Sequence, residues 1–222
     1  YPPALAGIED APPLLWARGD LSLAARPAVA LVGARNASSL GLRMARSLAQ
    51  DLAEAGIAVV SGLARGIDAA AREAALADGT VAVVAGGVDV VYPRENAALT
   101  ERIAAHGLIL SEMPPGMQPQ ARHFPRRNRI ISGLARAVVV VEAAARSGSL
   151  ITARDALDQG RDVLAVPGHP LDGRAAGCNM LIRDGAMLVR GAEDVLAALG
   201  PATDPAGASQ ARLALPDRKS VV

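Results

Sequence analysis

Cysteine is almost missing from this chain, and so are long apolar runs. The single cysteine, Cys178, excludes an internal disulfide framework and fits a reducing compartment. No apolar run approaches the roughly 18 residues that a membrane-spanning helix needs, and the sequence shows no signal-peptide pattern. We therefore expect a cytoplasmic protein that has no membrane partner.

Net charge is also low, and metal-ligand patterns are missing. The 222 residues carry a formal net charge of +1, so any nucleic-acid site must be a local patch rather than a global basic field. Lys219 is the only lysine, which indicates a compositional bias, so the choice of arginine over lysine is itself uninformative. The three histidines share no ligand spacing, and we expect neither a metal site nor a catalytic residue.

Positive charge is concentrated in one stretch, His123–Ala153. Three arginines surround Asn128, and no Asp or Glu occurs between Met113 and Val141. A strand, a Gly/Ser turn and a helix start follow, and helix N-termini and guanidinium groups both bind phosphate. Phe124, one of the few aromatic residues, lies beside the arginines and can stack on a base. The sequence therefore favours a nucleic-acid site over the alternative, a merely solvated arginine surface.

Short apolar runs alternate with amphipathic segments along most of the chain. This alternation predicts an α/β fold with a parallel sheet covered by helices on both faces. The predicted strands are Val29–Val32, Ile57–Val60, Val81–Val84, Leu108–Leu110, Ala137–Val141, Asp162–Val166 and residues 186–189.

Three segments are expected from the composition. Residues 1–28 are rich in proline and predict an irregular lead-in that lays Leu14–Trp16 onto the core. Residues 29–199 form the main domain. Residues 200–222 are rich in Pro, Ala, Gly and Ser and predict a linker or a disordered tail.

Glycine and polar residues gather where the predicted strands end. In parallel sheets, ligands bind beyond the carboxyl ends of the strands near a topological switch point, so these turns favour one shared crevice. The first turn is not GxGxxG, which argues against a dinucleotide cofactor, but Arg35 there can hold a phosphate. The turns are Gly33/Arg35, Ser61/Gly62, Gly86/Gly87, Ser111/Glu112, Gly148/Ser149 and Pro167/Gly168.

Several motifs follow one another from about Tyr1 to Leu199: VALVGARNASSLG, SGLARGIDAAA, GGVDVVYPRENAAL, LILSEMPPG, FPRRNRIISGLA, VVVVEAAARSGSLITA, and VPG with GCNMLIRDGA. In this order they resemble the motifs of the DprA/Smf family of DNA-processing proteins. Ala34 and Arg72 depart from the family, which often has serine and histidine there.

The resemblance implies an extended Rossmann-like, three-layer αβα domain that binds single-stranded DNA without cutting it and uses no cofactor. It also implies a homodimer that protects incoming strands and loads the RecA recombinase during natural transformation and recombination. The DNA-binding residues carried over are Gly33, Arg35, Ser61, Gly62, Phe124, Arg127, Asn128, Arg129, Gly148, Ser149 and Thr152.

Two other classes of function stay open on the sequence alone. Lysine-decarboxylase-like phosphoribohydrolases use a related fold with a PGGxGTxxE signature, but the matching turn here, SGSLITAR, lacks the glycine pair and the glutamate. Glu142 ends a predicted strand and is a candidate general acid, without an obvious partner in the sequence. A nucleotide-sensing interaction protein is the third possibility.

Overall fold

The structure, a computed structural model, describes residues 1–200. Within that range a single sheet holds eight strands, β1 to β8: Trp16–Gly19, Ala28–Gly33, Ala58–Gly62, Thr80–Val83, Leu108–Ser111, Ala137–Glu142, Asp162–Ala165 and Met187–Leu188. The α-helices α1 to α8 are Pro3–Ala6, Ser39–Glu54, Ile67–Ala74, Ala97–His106, His123–Leu134, Ser149–Asp158, Ala176–Arg183 and Ala192–Leu199. Two 3-10 helices, Leu21–Ala25 and Arg94–Asn96, precede β2 and α4.

The strand order across the sheet is β1-β5-β4-β3-β2-β6-β7-β8. All neighbouring strands are parallel except β1, which pairs antiparallel with β5 at one edge. From β2 the chain builds outwards through β3, β4 and β5, and then returns to place β6 on the other side of β2. The topological switch point therefore lies between β2 and β6.

The central strands are buried on both faces, which explains their unbroken apolar sequence. Successive side chains of a strand point to opposite faces, so Val29 and Leu31 pack with α2, α3 and α8, whereas Ala30 and Val32 pack with α5, α6 and α7. This arrangement confirms the predicted α/β class with helices on both sides of a mostly parallel sheet.

Helix α2 has a capping residue at its start and a glycine just after its end. The Ser38 hydroxyl accepts a hydrogen bond from the Gly41 amide at 3.0 Å, and so caps the helix. At the other end Gly56 has a φ of +82°, a conformation that glycine adopts without strain. The helix is therefore delimited by local chemistry at both termini.

The segment 1–28 is more regular than the proline content predicts. It contains α1, β1 and a 3-10 helix, and Leu5 and Ile8 are buried in the core. Trp16 is 38% exposed because β1 is an edge strand, so the prediction that Leu14–Trp16 covers the core is wrong for Leu14 and Trp16. The sequence also gave no sign of α7. The predicted tail, apart from Gly200, lies outside the described residues.

Among residues 1–200 no helix is long and apolar enough to cross a membrane. The same residues contain no group of three or more His, Cys, Asp or Glu side chains placed to hold a metal ion.

Candidate nucleic-acid interface

A crevice of about 530 Å³ opens beyond the carboxyl ends of β2 and β6, at the topological switch point of the sheet. Its walls come from the turn after β2, the first turns of α5 and the start of α6. Most of the residues predicted for the DNA site line this crevice. They are Gly33, Arg35, Phe124, Arg127, Asn128, Gly148, Ser149 and Thr152.

The exceptions are Ser61, Gly62 and Arg129. Ser61 is fully buried, and its hydroxyl lies 3.3 Å from the Gly62 carbonyl. Arg129 points away from the crevice, towards a second surface, where it pairs with Glu112 at 2.8 Å and Asp10 at 3.2 Å. None of these three predicted residues lines the crevice, although Gly62 packs against the guanidinium of Arg127.

Helix α5 begins at His123, so Phe124 and the arginines lie on one helix rather than in a preceding loop. Helical spacing separates the basic side chains onto different faces. Arg127 turns inwards and is 8% exposed, whereas Arg126 is solvent-exposed and pairs with Glu112 at 3.0 Å. Only part of the basic run therefore contributes to the crevice.

The guanidinium of Arg127 packs against Gly62, where any larger residue would clash with it. A Cβ atom at Gly62 would lie 2.2 Å from the Arg127 guanidinium, which donates a hydrogen bond to the Val83 carbonyl. Its Nε is buried without a partner. Burial lowers the pKa of Arg127 to about 10, so the group still carries its charge at neutral pH. The absence of a side chain at Gly62 therefore allows the Arg127 guanidinium to take this position.

A buried carboxyl balances this guanidinium. Asp68 on α3 is 7% exposed and lines the crevice. Burial raises its pKa to about 6, against the opposing effect of Arg72, Arg127 and Arg35. Arg72 is fully buried and donates to the Ala64 carbonyl at 3.2 Å, and burial lowers its pKa to about 10. The crevice therefore has a positive wall with one titratable acid inside it.

The Phe124 ring separates two spaces, and it is only partly free to stack on a base. The Arg35 guanidinium lies over its ring at 5.5 Å from the centroid. The Tyr92 ring lies 5.8 Å away, tilted by 52°. Arg35, Phe124 and Arg127 line the crevice on one side and a smaller cleft of about 250 Å³ on the other. We call this cleft the side compartment; its outer wall includes Arg65, Tyr92 and Glu95.

The start of α6 offers hydroxyl groups more than free amides. The amides of Leu150 and Ile151 donate to the carbonyls of Ser147 and Gly148 at 3.1 Å. The Ser147 and Ser149 hydroxyls lie 2.8 Å apart, and both residues line the crevice. An anion at this point therefore meets two hydroxyls near the positive end of the helix dipole.

Glu142 has a structural role in the described part of the chain. Its carboxylate accepts hydrogen bonds from the Ser38 amide at 2.9 Å and from the Ser38 hydroxyl. These contacts tie the end of β6 to the start of α2. The carboxylate is therefore committed to a helix terminus and does not line the crevice.

Sequence reasoning missed Tyr92, Ser147 and the placement of Asp68. Asp68 lies in the SGLARGIDAAA motif, which does not by itself separate a capping role from a functional one. Tyr92 lies in the VVYPREN motif, far from the basic stretch along the chain, and only the packing of the loop after β4 brings it to Phe124. The scarcity of aromatic residues was the available signal for Tyr92.

Comparisons with known proteins find a matching family and similar solved structures. The family model described as DNA recombination-mediator protein A matches residues 1–200. DNA processing protein DprA of Streptococcus pneumoniae is 51% identical over 199 residues, which are 89% of this chain and 70% of that protein. Its X-ray structure superimposes with a TM-score of 0.85.

Other solved structures extend the comparison. DNA processing protein A from Helicobacter pylori is 31% identical, with a TM-score of 0.83 over 90% of this chain and 92% of that one. That structure is described as revealing a unique single-stranded DNA binding mode. A molybdenum cofactor carrier protein from Chlamydomonas reinhardtii shares only the fold, with 16% identity over 78% of this chain and 96% of that one, and a TM-score of 0.53.

Proposed function

The chain belongs to the DNA recombination-mediator protein A family, and we propose that it binds single-stranded DNA in the crevice without cutting it. We further propose that it protects incoming strands and loads the RecA recombinase onto them during natural transformation and recombination, as a homodimer in the cytoplasm. The observation that carries the DNA-binding proposal is the convergence of Arg35, Arg127 and the Ser147 and Ser149 hydroxyls on one crevice at the switch point.

The geometry favours one strand over a duplex. The positive groups line a recess rather than a ridge, and α5 presents only Arg126 outwards from its basic run. A single strand can follow a recess and stack its bases on aromatic walls, whereas a duplex keeps its bases paired. The buried guanidinium of Arg127 can then take a phosphate in a charge-assisted hydrogen bond.

The direct test compares a thymine oligonucleotide with a duplex of the same length in a salt titration. With about three to five phosphate contacts, log K against log salt should slope by roughly −2 to −3.5 for the single strand. Arg35→Ala should weaken binding and flatten the slope by roughly 0.7, the loss of one phosphate contact. Phe124→Ala should weaken binding with the slope nearly unchanged. Equal affinity of the wild type for duplex and single strand contradicts the proposal.

A phosphoribohydrolase-like enzyme is the alternative, and Glu142 is its candidate acid from the sequence. Because the Glu142 carboxylate is bonded to Ser38 and lies outside the crevice, and because the acid inside the crevice, Asp68, is surrounded by arginines rather than paired with a second acid or base, we propose that the chain does not hydrolyse nucleotides. The test is incubation with nucleoside monophosphates and detection of free base. Turnover that Glu142→Gln abolishes favours the enzyme.

A further inference from the structure

We propose that Arg72 is a positioning residue for strand binding: without touching the strand, it holds the loop after β3 from behind and keeps Asp68 ionised in the crevice at neutral pH. This inference rests on the proposed function, because the crevice that Asp68 lines is the one in which we place the single strand.

Arg72 lies behind the crevice rather than in it. Its side chain is fully buried, and it lines neither the crevice nor the side compartment. Asp68 precedes it by four residues on α3, a spacing that places two side chains on the same face of a helix. Asp68 does line the crevice, so Arg72 can influence a bound strand through this neighbour without contacting the strand.

The Arg72 guanidinium is also bonded to the loop after β3. Its Nη2 donates a hydrogen bond to the Ala64 carbonyl at 3.2 Å, and Ala64 lines both the crevice and the side compartment. The preceding carbonyl, that of Leu63, accepts a hydrogen bond from the side chain of Asn96 at 3.1 Å. Two buried side chains therefore hold consecutive carbonyl groups of a segment that forms part of both walls, and Arg72 provides one of these anchors.

The positive charges that act on Asp68 come from three elements. They belong to Arg72 on α3, Arg127 on α5 and Arg35 in the turn after β2. Burial raises the pKa of Asp68 to about 6, and among the arginines that oppose this rise Arg72 has the largest effect. Without Arg72 the carboxyl group should therefore hold its proton up to a higher pH and be largely neutral at pH 7.

A guanidinium at this position is unfavourable for the fold alone. The Nε and Nη1 atoms of Arg72 are buried and have no hydrogen-bond partner among the described residues. Replacing a buried charged group with an apolar side chain of similar size is often neutral for stability. Asp68 can then take up a proton instead of remaining an unpaired buried charge. We therefore expect Arg72→Met to fold, so its effect on binding can be measured.

The first test follows the Asp68 carboxyl group in the absence of DNA. Carbon NMR of this carboxyl group in the full chain gives the midpoint of its titration. In Arg72→Met the midpoint should rise by about one to three pH units, the usual effect of removing one neighbouring opposite charge. Arg72→Lys keeps the charge and should titrate close to the wild type.

The second test measures the affinity for a thymine oligonucleotide over the same pH range. Affinity should rise as Asp68 becomes neutral, since Asp68 then no longer offsets Arg35 and Arg127, so this rise should occur about one to three units higher in Arg72→Met. Below both midpoints the variant should bind about two- to tenfold more weakly than the wild type, because the hydrogen bond to Ala64 is lost. Arg72→Lys should restore most of this affinity.

Arg102→Met is the matched control. It removes an arginine that is 53% exposed and lies 3.8 Å from Glu73, and it should move neither the Asp68 midpoint nor the affinity. The slope of log K against log salt, measured below both midpoints, should be the same in Arg72→Met and the wild type, because Arg72 contacts no phosphate.

The outcomes separate this inference from the proposed function. If the Asp68 midpoint stays at about 6 in Arg72→Met while the variant unfolds at a lower urea concentration, Arg72 is only structural and the inference fails. It also fails if the midpoint moves but the affinity does not follow, or if the two proteins bind equally below both midpoints. In these cases the proposed function stands. A wild-type chain that binds no single strand at any pH overturns the proposed function and the inference together.

Discussion

At the scale of single residues, the buried Arg127 at the crevice differs from an ordinary surface arginine. A buried donor without an acceptor destabilises a fold by about 1–3 kcal/mol, and Arg127 retains one at Nε. The neighbouring Arg72 has two such atoms, Nε and Nη1. The carboxylate of Asp68 provides the nearby negative charge that stabilises the buried guanidinium groups of Arg72 and Arg127. Arg127 also lines the crevice, so its guanidinium can bind an anion there.

A substitution at Gly62 tests whether the Arg127 guanidinium contacts DNA, because this guanidinium occupies the position that a Cβ atom at Gly62 would take. We expect Gly62→Ala to push the guanidinium aside, because the added Cβ would lie 2.2 Å from it, and to remove its hydrogen bond to Val83. The loss of one charge-assisted contact to DNA is worth roughly 1.5–3 kcal/mol, or about ten- to 150-fold in affinity. Fluorescence anisotropy with a thymine oligonucleotide measures it.

Gly173→Ala is the matched control, since nothing lies within 4 Å of a Cβ added there. Wild-type affinity in Gly62→Ala would mean that Arg127 does not contact the strand.

Asp68 predicts a pH dependence of both stability and binding. Its pKa rises from 3.8 in the unfolded chain to about 6 in the fold, so the folded state holds an extra proton between these values. Its contribution to stability is therefore full below about pH 3.8 and is lost as the pH rises through about 6.

DNA affinity should also increase as the pH falls through about 6, because a neutral Asp68 no longer compensates the positive charges of Arg35 and Arg127.

The gain in affinity should reach about tenfold for each unit by which the DNA raises the pKa of Asp68. A titration from pH 7.5 to 5 with a thymine oligonucleotide, whose bases do not change charge in that range, measures it. Asp68→Asn should bind tightly at pH 7.5 and lose the dependence. It retains all three histidines, so an unchanged pH profile in this variant would assign the effect to them instead.

At the scale of elements, the sequence predicted the regular parts and missed the parts that depend on distant contacts. Strands such as β6 were predictable because a β-branched run buried on both faces has a local signature. The edge strand β1 was not, because it exists through pairing with β5, some 90 residues away in register Trp16↔Ser111. Likewise the sequence predicted Phe124 as a stacking residue, but the Arg35 and Tyr92 contacts that constrain its ring come from two other loops.

Helix α2 carries an element-scale prediction, because its cap also holds the end of β6. Ser38→Ala should destabilise the fold by about 0.5–2 kcal/mol, towards the upper end, since Glu142 loses a hydrogen-bond donor as well. Urea unfolding measures this as a lower midpoint with an unchanged slope. Ser47→Ala, on the exposed face of the same helix, is the control and should be nearly neutral. Equal effects of the two substitutions would show that the Ser38–Glu142 contact adds nothing to stability.

At the scale of the whole molecule, the crevice lies where the two halves of the sheet meet. β2 and β6 are adjacent but come from distant parts of the chain, and residues from the turn after β2, from α3, α5 and α6 line one space. A ligand there contacts elements from both halves of the chain. Binding and unfolding are therefore linked, because the unfolded chain has no crevice.

This linkage predicts a thermal shift. A thymine oligonucleotide at about 100 times its Kd should add about 2.7 kcal/mol to the stability. For a domain of this size that raises Tm by roughly 5–10 °C. A duplex at the same concentration should give little shift. Arg35→Ala should lose about half of the shift or more, whereas Arg183→Ala, which removes an exposed arginine paired with Asp184, should keep it. Two results would contradict a strand held at the switch point: a duplex that stabilises the chain as strongly as the single strand, or an Arg35→Ala variant that keeps the full shift in Tm. Either result would mean that the DNA binds another surface.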